Sequence, residues 1–261
     1  MKICAMQLDI TLGQREENYD KVRRLFVHAM ERQPEVIVLP ELWDVGFYPP
    51  NVSELADRDG QQAKEFLQSL AKRYSVHIVG GSVAQLRQGK VQNTNFVVDR
   101  HGEIQFEYSK IHLFSPAGEH ENFEPGNVTG TYQLDGVKAA SIICYDLRFC
   151  ELVRTLALQD IQVLFIPAAW PHPRLNHWQT LAKARAIENQ IYVVALNGVG
   201  EARGLKFCGG SLIVNPWGEV VASLEEEEGL LFGELDFTVI QDIRSRINVF
   251  RDRRPEFYKL I

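Results

Sequence analysis

Residues 36–43 of this chain are Val-Ile-Val-Leu-Pro-Glu-Leu-Trp, an apolar run that stops at a proline and is followed by an acid. The first four residues, three of them β-branched, are typical of a short strand buried inside a sheet. Pro40 ends the strand because it has no N–H to donate to a neighbouring strand. Glu41 then stands where a rigid strand gives way to a loop, and such a position favours a functional side chain.

Similar apolar runs alternate with helical patterns along the rest of the chain. Helices are predicted where apolar residues recur at helical spacing, at 16–31, 61–74, 151–158 and 178–190. Strands are predicted at 2–8, 36–39, 76–83, 94–99, 104–108, 132–134, 137–143, 163–166, 191–196, 211–214 and 219–222. The strand that begins at Val163 is expected to stop at Pro167. Continuous apolar strands belong in sheets whose outer faces are covered by helices, which predicts an α/β fold.

Composition places the chain among folded globular proteins. Its 261 residues include 28 Lys+Arg and 34 Asp+Glu, which gives a net charge of −6, and 45% of the residues are hydrophobic. A mildly acidic protein of this kind is not expected to bind nucleic acid, because that requires a basic face. No linker rich in Pro, Gly or Ser divides the sequence, so we expect one domain over residues 1–261.

The sequence also predicts the compartment. The first residues lack the apolar core and cleavage site of a secretory signal, and no stretch approaches the roughly 18 apolar residues of a transmembrane helix. We therefore expect a cytoplasmic protein with no membrane partner. In a reducing compartment the cysteines at positions 4, 144, 150 and 208 are expected to stay unpaired, and one with a special role is more often a nucleophile than half of a disulfide.

Three ionisable residues stand close after predicted strands: Glu41, Lys110 and Cys144. Each also has an ordinary interpretation: Glu41 as a cap or surface acid, Lys110 as a solvated side chain, and Cys144 as a small core residue. Together they suggest chemistry, because catalytic groups favour strand ends. Their spacing alone does not bring them together in space, so their grouping is a prediction for the structure.

Three motifs occur around these residues in order: VLPELW at 38–43, YSKIHLF at 108–114 and ICYDLRF at 143–149. Further stretches continue the pattern at His177-Trp178, at ARAIENQ (184–190) and at 210–218. This series spans nearly the whole chain and resembles the nitrilase superfamily of carbon–nitrogen hydrolases. The resemblance implies a four-layer αββα sandwich, which is an α/β fold, and a hydrolase that needs no metal or organic cofactor.

The same resemblance assigns roles to individual residues. It implies that Glu41 is the general base, that Lys110 stabilises the tetrahedral intermediate, and that Cys144 is the nucleophile. It also implies a second active-site glutamate after the lysine motif, for which Glu119 is the first candidate and Glu121 the alternative. A free thiol, with a pKa of about 8.5, is mostly protonated at neutral pH, and a neighbouring lysine is expected to favour the thiolate.

The motif around Cys144 resembles the amidase branch that includes omega-amidases, whose bacterial members serve in methionine salvage. The resemblance implies hydrolysis of a small linear carboxamide through a thioester. The expected substrates are water and the ω-amide of a 2-oxo acid, such as 2-oxoglutaramate. A deaminated-glutathione amidase, another C–N hydrolase such as a carbamoylase or nitrilase, and a catalytically silent binding module are the alternatives.

A 2-oxo acid carries an anionic carboxylate, and its recognition needs a cation or several N–H donors. Arg174 is the candidate cation, with His177 and His112 as further candidates. Ligand pockets are mostly apolar with few polar groups. The aromatic candidates for the pocket wall are Phe114, Tyr145, Trp170 and Trp43. The backbone N–H of Tyr145 is expected to help Lys110 hold the oxyanion.

Other polar residues near the motifs are expected to be structural. Asp146 and Arg148 are predicted to be a structural pair and not substrate contacts. Helical spacing predicts a buried polar network or part of an interface at Arg185, Glu188 and Asn189. The tail 250–261 mixes aromatic residues with arginines, which suits a subunit interface and equally a strap over its own domain, and we expect a homodimer or a higher oligomer.

Overall fold

The structure is a computed structural model that describes residues 1–258, so the predicted interface segment 250–261 lies partly outside the described residues. The strands are β1 (Lys2–Gln7), β2 (Val36–Val38), β3 (Asp57–Arg58), β4 (His77–Val79), β5 (Val83–Arg87), β6 (Lys90–Val98), β7 (Ile104–Ser109), β8 (Tyr132–Leu134), β9 (Val137–Ser141), β10 (Val163–Ala168), β11 (Tyr192–Asn197), β12 (Glu201–Ala202), β13 (Leu205–Lys206), β14 (Leu212–Val214), β15 (Val220–Ser223) and β16 (Gly229–Glu234). The helices are α1 (Arg15–Met30), α2 (Val52–Leu55), α3 (Gln61–Tyr74), α4 (Cys150–Ala157), α5 (Leu175–Asn189) and α6 (Thr238–Arg246). Short 3₁₀ turns lie at Ser115–Ala117, Glu119–Glu121, Cys144–Arg148 and Pro255–Phe257.

The strands form two large sheets and one small ribbon. The first sheet has the order β16-β1-β2-β4-β6-β5-β3, with β7 paired to β6. The second has the order β15-β14-β11-β10-β9-β8, and β12 pairs with β13 as the ribbon. β1, β2 and β4 run parallel, as do β9, β10 and β11. Parallel neighbours place the loops after β2 and β4 at one edge of the first sheet, and the loops after β9 and β10 at one edge of the second.

Alternation of side chains along the strands separates the interior into layers. In β1, Ile3 and Ala5 face the second sheet, whereas Cys4 and Met6 pack under α1 and α3. The second sheet alternates in the same way and packs its other face under α4 and α5. Its residues between the sheets include Val163, Phe165, Tyr192, Val194 and Leu196. The result is the four-layer αββα sandwich, so the predicted fold is confirmed.

The predicted strand 76–83 is wrong, because the chain breaks at Gly80-Gly81 into β4 and β5. Gly81 has a φ of +62°, and a Cβ there would lie 2.1 Å from the carbonyl oxygen of Pro40. Only glycine lets the backbone pass so close behind the loop that carries Glu41. β5 then returns as a hairpin with β6, which brings the middle of β6 beside that loop.

The predicted strand end at Pro167 is also wrong, since β10 continues to Ala168. Pairing of β10 with β9 stops at Phe165, so Pro167 lies beyond the last pair on that side. Its missing N–H therefore costs no hydrogen bond to β9. The longer strand carries the backbone as far as Ala169, which contacts Glu41.

The N-terminal strand pairs on the first sheet with a strand from the last part of the described chain. The sequence patterns predict neither β16 nor α6, yet β16 pairs antiparallel with β1 along its whole length. The terminal ammonium of Met1 donates to the carbonyl of Leu235 at 3.0 Å. The predicted helix 61–74 is confirmed at both ends, and α5 begins at Leu175, one turn before the predicted start. Within residues 1–258, no helix has the length and apolar character needed to cross a bilayer.

Candidate active site

The facing sheets bring Glu41, Lys110 and Cys144 together at the ends of β2, β7 and β9. Nζ of Lys110 lies 2.8 Å from Oε1 of Glu41. Oε2 of Glu41 accepts the backbone N–H of Ala169 at 2.8 Å, and the thiol of Cys144 faces the same carboxylate. All three side chains are buried. One ammonium, one carboxylate and one thiol therefore meet in a single site.

Glu119 supplies a second carboxylate to the same ammonium. Its two oxygens lie 3.0 Å and 2.8 Å from Nζ of Lys110. The backbone N–H of Phe114 donates to Oε2 of Glu119 at 2.6 Å and fixes this side chain. Glu121, the alternative, is exposed to solvent. The geometry thus groups Glu119, and not Glu121, with Lys110.

Asn93, on β6, completes the polar cluster. Its Nδ2 donates to Oε1 of Glu41 at 2.8 Å and to Oε1 of Glu119 at 3.1 Å, and the side chain is fully buried. The sequence patterns do not identify Asn93, because the predicted strand begins one residue later, at Thr94. The signal that could have identified Asn93 is a polar amide inside a strand whose residues from position 93 onward are all buried.

Cys144 is held in an unusual backbone conformation. It has a φ of +47° and begins the 3₁₀ turn Cys144–Arg148. A residue with a side chain is strained in this left-handed region, and such strain is concentrated at functional sites. The turn points the sulfur at Glu41 and at the backbone N–H of Ala169.

The surroundings of Cys144 favour the neutral thiol. Burial raises the pKa of this thiol well above its usual range, and the Glu41 carboxylate raises it further. Lys110 and the N–H of Ala169 act in the opposite direction but are outweighed. Lys110 thus favours the thiolate, as expected, but its effect on the pKa is smaller than that of burial. The thiol therefore needs a base at the moment of attack, and Glu41 faces it.

Lys110 is held as a cation. Burial alone would lower its pKa, but Glu119 and Glu41 together raise that pKa well above its usual value. Burial raises the pKa of Glu119, while Lys110 lowers it. The ammonium between two carboxylates is thus a fixed positive charge next to the thiol. Across residues 1–258, no group of three or more His, Cys, Asp or Glu side chains is arranged to hold a metal ion.

The thiol opens onto a narrow cleft. The cleft is lined by Phe114, Cys144, Tyr145, Arg148, Ala169, Trp170, Pro171 and Arg174. Four of the predicted substrate-binding residues line it: Phe114, Tyr145, Trp170 and Arg174. Its wall is aromatic, and its two charged side chains are both arginines.

The other candidates for substrate contact lie elsewhere. His177 is exposed, and its Nδ1 lies 3.4 Å from Nη2 of Arg148, which lines the cleft. The ring of His112 stacks on Phe149 at 3.5 Å between centroids. Trp43 is buried in the outer layer, where its Nε1 donates to the carbonyl of Gly80. These three side chains are therefore not part of the cleft wall.

The predicted pairing of Asp146 with Arg148 is wrong. Asp146 is buried and bonds to His112 at 2.8 Å, whereas Arg148 lies over the ring of Trp170, 4.6 Å from its centroid. The two side chains therefore have different partners, and Arg148 lines the cleft. The predicted polar network on α5 is present: Arg185 is buried and contacts Glu188 at 2.9 Å.

The carbon-nitrogen hydrolase family profile matches residues 2–245 of this chain, which is nearly its whole length. The chain belongs to the carbon-nitrogen hydrolase family. It is thus a hydrolase of carbon–nitrogen bonds other than peptide bonds, and the predicted family and enzyme class are confirmed. The four-layer fold and the buried cluster of Glu41, Lys110 and Cys144 are observed in this chain itself.

Several relatives of this carbon-nitrogen hydrolase are amidases. It is 43% identical to a 2-oxoglutaramate amidase of Bacillus subtilis (strain 168), over 98% of each chain. It is 31% identical to the omega-amidase NIT2-A of Xenopus laevis, over 94% of this chain and 92% of the other. A solved structure of an amidase mutant from Nesterenkonia sp. AN1 shows Michael addition of acrylamide at the active site cysteine. That protein is 27% identical to this chain, and the two structures match with a TM-score of 0.84 over 94% of this chain and 97% of the other.

Proposed function

We propose that this protein is a cysteine-dependent amidase that converts a small linear carboxamide to a carboxylate and ammonia. The observation that carries the proposal is that one buried carboxylate, Glu41, lies 2.8 Å from the ammonium of Lys110 and faces the thiol of Cys144. An amide carbon is a poor electrophile, so its hydrolysis needs an activated nucleophile and donors for the developing oxyanion. The cluster supplies both, and the relatives named above are amidases.

In the first step the sulfur of Cys144 attacks the amide carbon. Glu41 accepts the thiol proton as the S–C bond forms, which the raised pKa of the thiol makes necessary. The carbonyl oxygen becomes an oxyanion and accepts hydrogen bonds from Nζ of Lys110 and from the backbone N–H of Tyr145. Glu119 holds the ammonium from its other side, so that Lys110 stays directed at the cleft.

In the second step the tetrahedral intermediate breaks its C–N bond. Glu41 returns the proton to the departing nitrogen, and ammonia leaves a thioester on Cys144. Glu41 then takes a proton from water, whose oxygen attacks the thioester carbon. The S–C bond breaks, Glu41 returns this proton to the sulfur, and the acid product leaves as a carboxylate after losing its own proton to solvent. Each proton that moves to or from the sulfur and the departing nitrogen passes through Glu41, so one carboxylate serves both halves of the reaction.

We propose further that the substrate is the ω-amide of a 2-oxo acid, such as 2-oxoglutaramate. The cleft is small, and two guanidinium groups, from Arg148 and Arg174, line it. Burial lowers the pKa of Arg148, and the positive charge of Arg174 lowers it further, so like charges face each other there. The polar contacts of these arginines are with Nδ1 of His177 at 3.4 Å and with the backbone carbonyl of His172 at 3.5 Å. An anionic carboxylate between the two arginines would relieve their repulsion.

Replacing Arg174 by alanine tests this assignment. A lost charge-assisted hydrogen bond of about 1.5–3 kcal/mol corresponds to a KM for 2-oxoglutaramate that is roughly 10- to 100-fold higher. KM for a neutral amide of similar length, such as butyramide, should stay nearly unchanged. Steady-state ammonia release measures both constants, with Arg58→Ala, an exposed arginine of β3, as the matched control. Equal effects on the two substrates would remove Arg174 from the carboxylate site.

The proposed activity itself is tested by measuring ammonia release from a panel of compounds with the wild-type protein. The panel contains 2-oxoglutaramate, deaminated glutathione, a neutral amide, a nitrile and an N-carbamoyl amino acid. We expect the highest kcat/KM for 2-oxoglutaramate, because it is the carboxamide of the panel that combines small size with a carboxylate at the far end. A higher kcat/KM for the nitrile or the carbamoyl compound would contradict the amidase assignment, and a higher value for deaminated glutathione would contradict the substrate.

Location and assembly are part of the same proposal. We propose a cytoplasmic enzyme, because a thiol nucleophile must stay reduced and all four cysteines are free thiols. We also propose a homodimer, which the exposed aromatic side chains of Phe257 and Tyr258 in the tail support. Light scattering of the purified protein distinguishes a dimer from a monomer.

A further inference from the structure

Asp146 lies two residues after Cys144, and its buried carboxylate accepts four hydrogen bonds. Oδ1 accepts the backbone N–H of His112 at 2.9 Å and contacts Nδ1 of the same ring at 2.8 Å. Oδ2 accepts the hydroxyl of Tyr108 at 2.7 Å and the backbone N–H of Ile143 at 3.0 Å. A carboxylate has about four acceptor positions, so this one is saturated.

The four donors come from two chain segments, and each segment carries one of the proposed catalytic residues. Tyr108 and His112 stand on either side of Lys110, two residues away in each direction. Ile143 and Asp146 itself enclose Cys144. One side chain therefore ties the segment that carries the ammonium to the segment that carries the thiol.

We propose that Asp146 is a positioning residue, which fixes Cys144 against Lys110 for attack on the amide while touching neither the substrate nor the reacting atoms. The proposal rests on the roles proposed above for Cys144 and Lys110. Its physical basis is that the turn must hold Cys144 at a positive φ. A bond from Ile143 N–H to the carboxylate closes this turn immediately before the strained residue.

Other contacts of the turn do not provide the same link. Arg185, on α5, donates from Nε and Nη2 to the carbonyl of Leu147 at 3.1 Å and 2.9 Å. These bonds hold the turn to the outer helix and leave the Lys110 segment untouched. Burial raises the pKa of Tyr108 well above its usual value, and the charge of Asp146 adds to this, so the hydroxyl remains a donor to the carboxylate.

An asparagine at position 146 keeps the size of the side chain but offers a single acceptor oxygen. Its NH₂ group would face two of the four donors, and those bonds would be lost. A displacement of about 1 Å at a catalytic group can cost roughly 100-fold in rate. We therefore expect Asp146→Asn to lower kcat by about 10- to 100-fold with a smaller change in KM, because the side chain of Asp146 does not itself line the cleft.

The experiment compares three full-length variants by kcat, KM, melting temperature and the rate of alkylation of Cys144 by iodoacetamide. Alkylation is located by peptide mass in a Cys150→Ala background, so that the exposed thiol does not interfere. Tyr108→Phe removes one donor and should lower kcat by about 3- to 10-fold at unchanged KM. Asp57→Asn is the matched control, because Asp57 is a buried carboxylate that accepts the N–H groups of Gln62 and Ala63 at the start of α3.

The control should lower the melting temperature and leave kcat and the alkylation rate of Cys144 unchanged, whereas Asp146→Asn should lower both rates. A merely structural Asp146 would behave like Asp57, and that result would overturn the proposal. If Asp146→Asn does not fold, Tyr108→Phe decides: an unchanged kcat would overturn the proposal. Alkylation requires no substrate, so it tests the positioning of Cys144 even if no amide in the panel is hydrolysed.

Discussion

Cys144→Ala is expected to abolish ammonia release, with a fall in kcat of roughly 10⁶-fold, the order found when the nucleophile of a hydrolytic triad is removed. Among the described residues that line the cleft, only Cys144 can form a covalent acyl intermediate, and the variant lacks its thiol. Wild-type protein quenched during turnover should show the added mass of an acyl group on the peptide that contains Cys144. The variant should show none.

The fold should survive this substitution, because alanine fills most of the same buried space and the sulfur donates little to the packing. Cys150→Ala is the matched control, since it removes an exposed thiol six residues away and should leave kcat unchanged. A Cys144→Ala protein that retains more than about a hundredth of wild-type activity would show that the reaction does not pass through a thioester, and the mechanism would have to be abandoned.

Local sequence patterns predicted most elements of the fold. Apolar runs such as 36–39 carry their own signal, because burial on both faces requires continuous hydrophobicity. The errors arise where tertiary contact overrides a local rule. Pro167 continues β10 because no partner strand needs its N–H at that point. Gly80-Gly81 divides a continuous apolar run because Pro40 leaves no space for a Cβ.

The site itself could be predicted only in part. The residues at the strand ends were recognised from their motifs, but the contact between Lys110 and Glu41 depends on how the strands pair, which periodicity does not encode. Asn93 was missed for the same reason, since its role follows from the hairpin of β5 and β6. Arg148 was given the wrong partner because closeness in sequence does not decide which side chains meet.

Lys110→Met is expected to be both inactive and unstable. It removes the oxyanion donor, which typically costs about 10²- to 10³-fold in kcat. It also leaves Glu41 and Glu119 buried without their cation, and breaking a buried ion pair from one side costs about 3–5 kcal/mol in the free energy of unfolding. Urea unfolding measures this loss, and Lys64→Met, which removes a partly exposed partner of Glu107, is the control with a small effect.

The electrostatic origin of this loss can be separated from the loss of packing. Burial already raises the pKa of Glu119, and without Lys110 nothing opposes that rise except hydrogen bonds. A carboxyl group whose pKa is higher in the folded state stabilises the fold below its unfolded pKa of about 4.3, and this contribution disappears as the pH rises through the folded pKa. The difference in stability between wild type and Lys110→Met should therefore shrink as the pH is lowered from 7 toward 5.

At pH 7 the double variant Lys110→Met/Glu119→Gln should recover part of the lost stability, because one of the two buried charges is gone. It should remain inactive. If the double variant is no more stable than Lys110→Met, the cost lies in packing, and Lys110 is not the counter-charge on which this site is built.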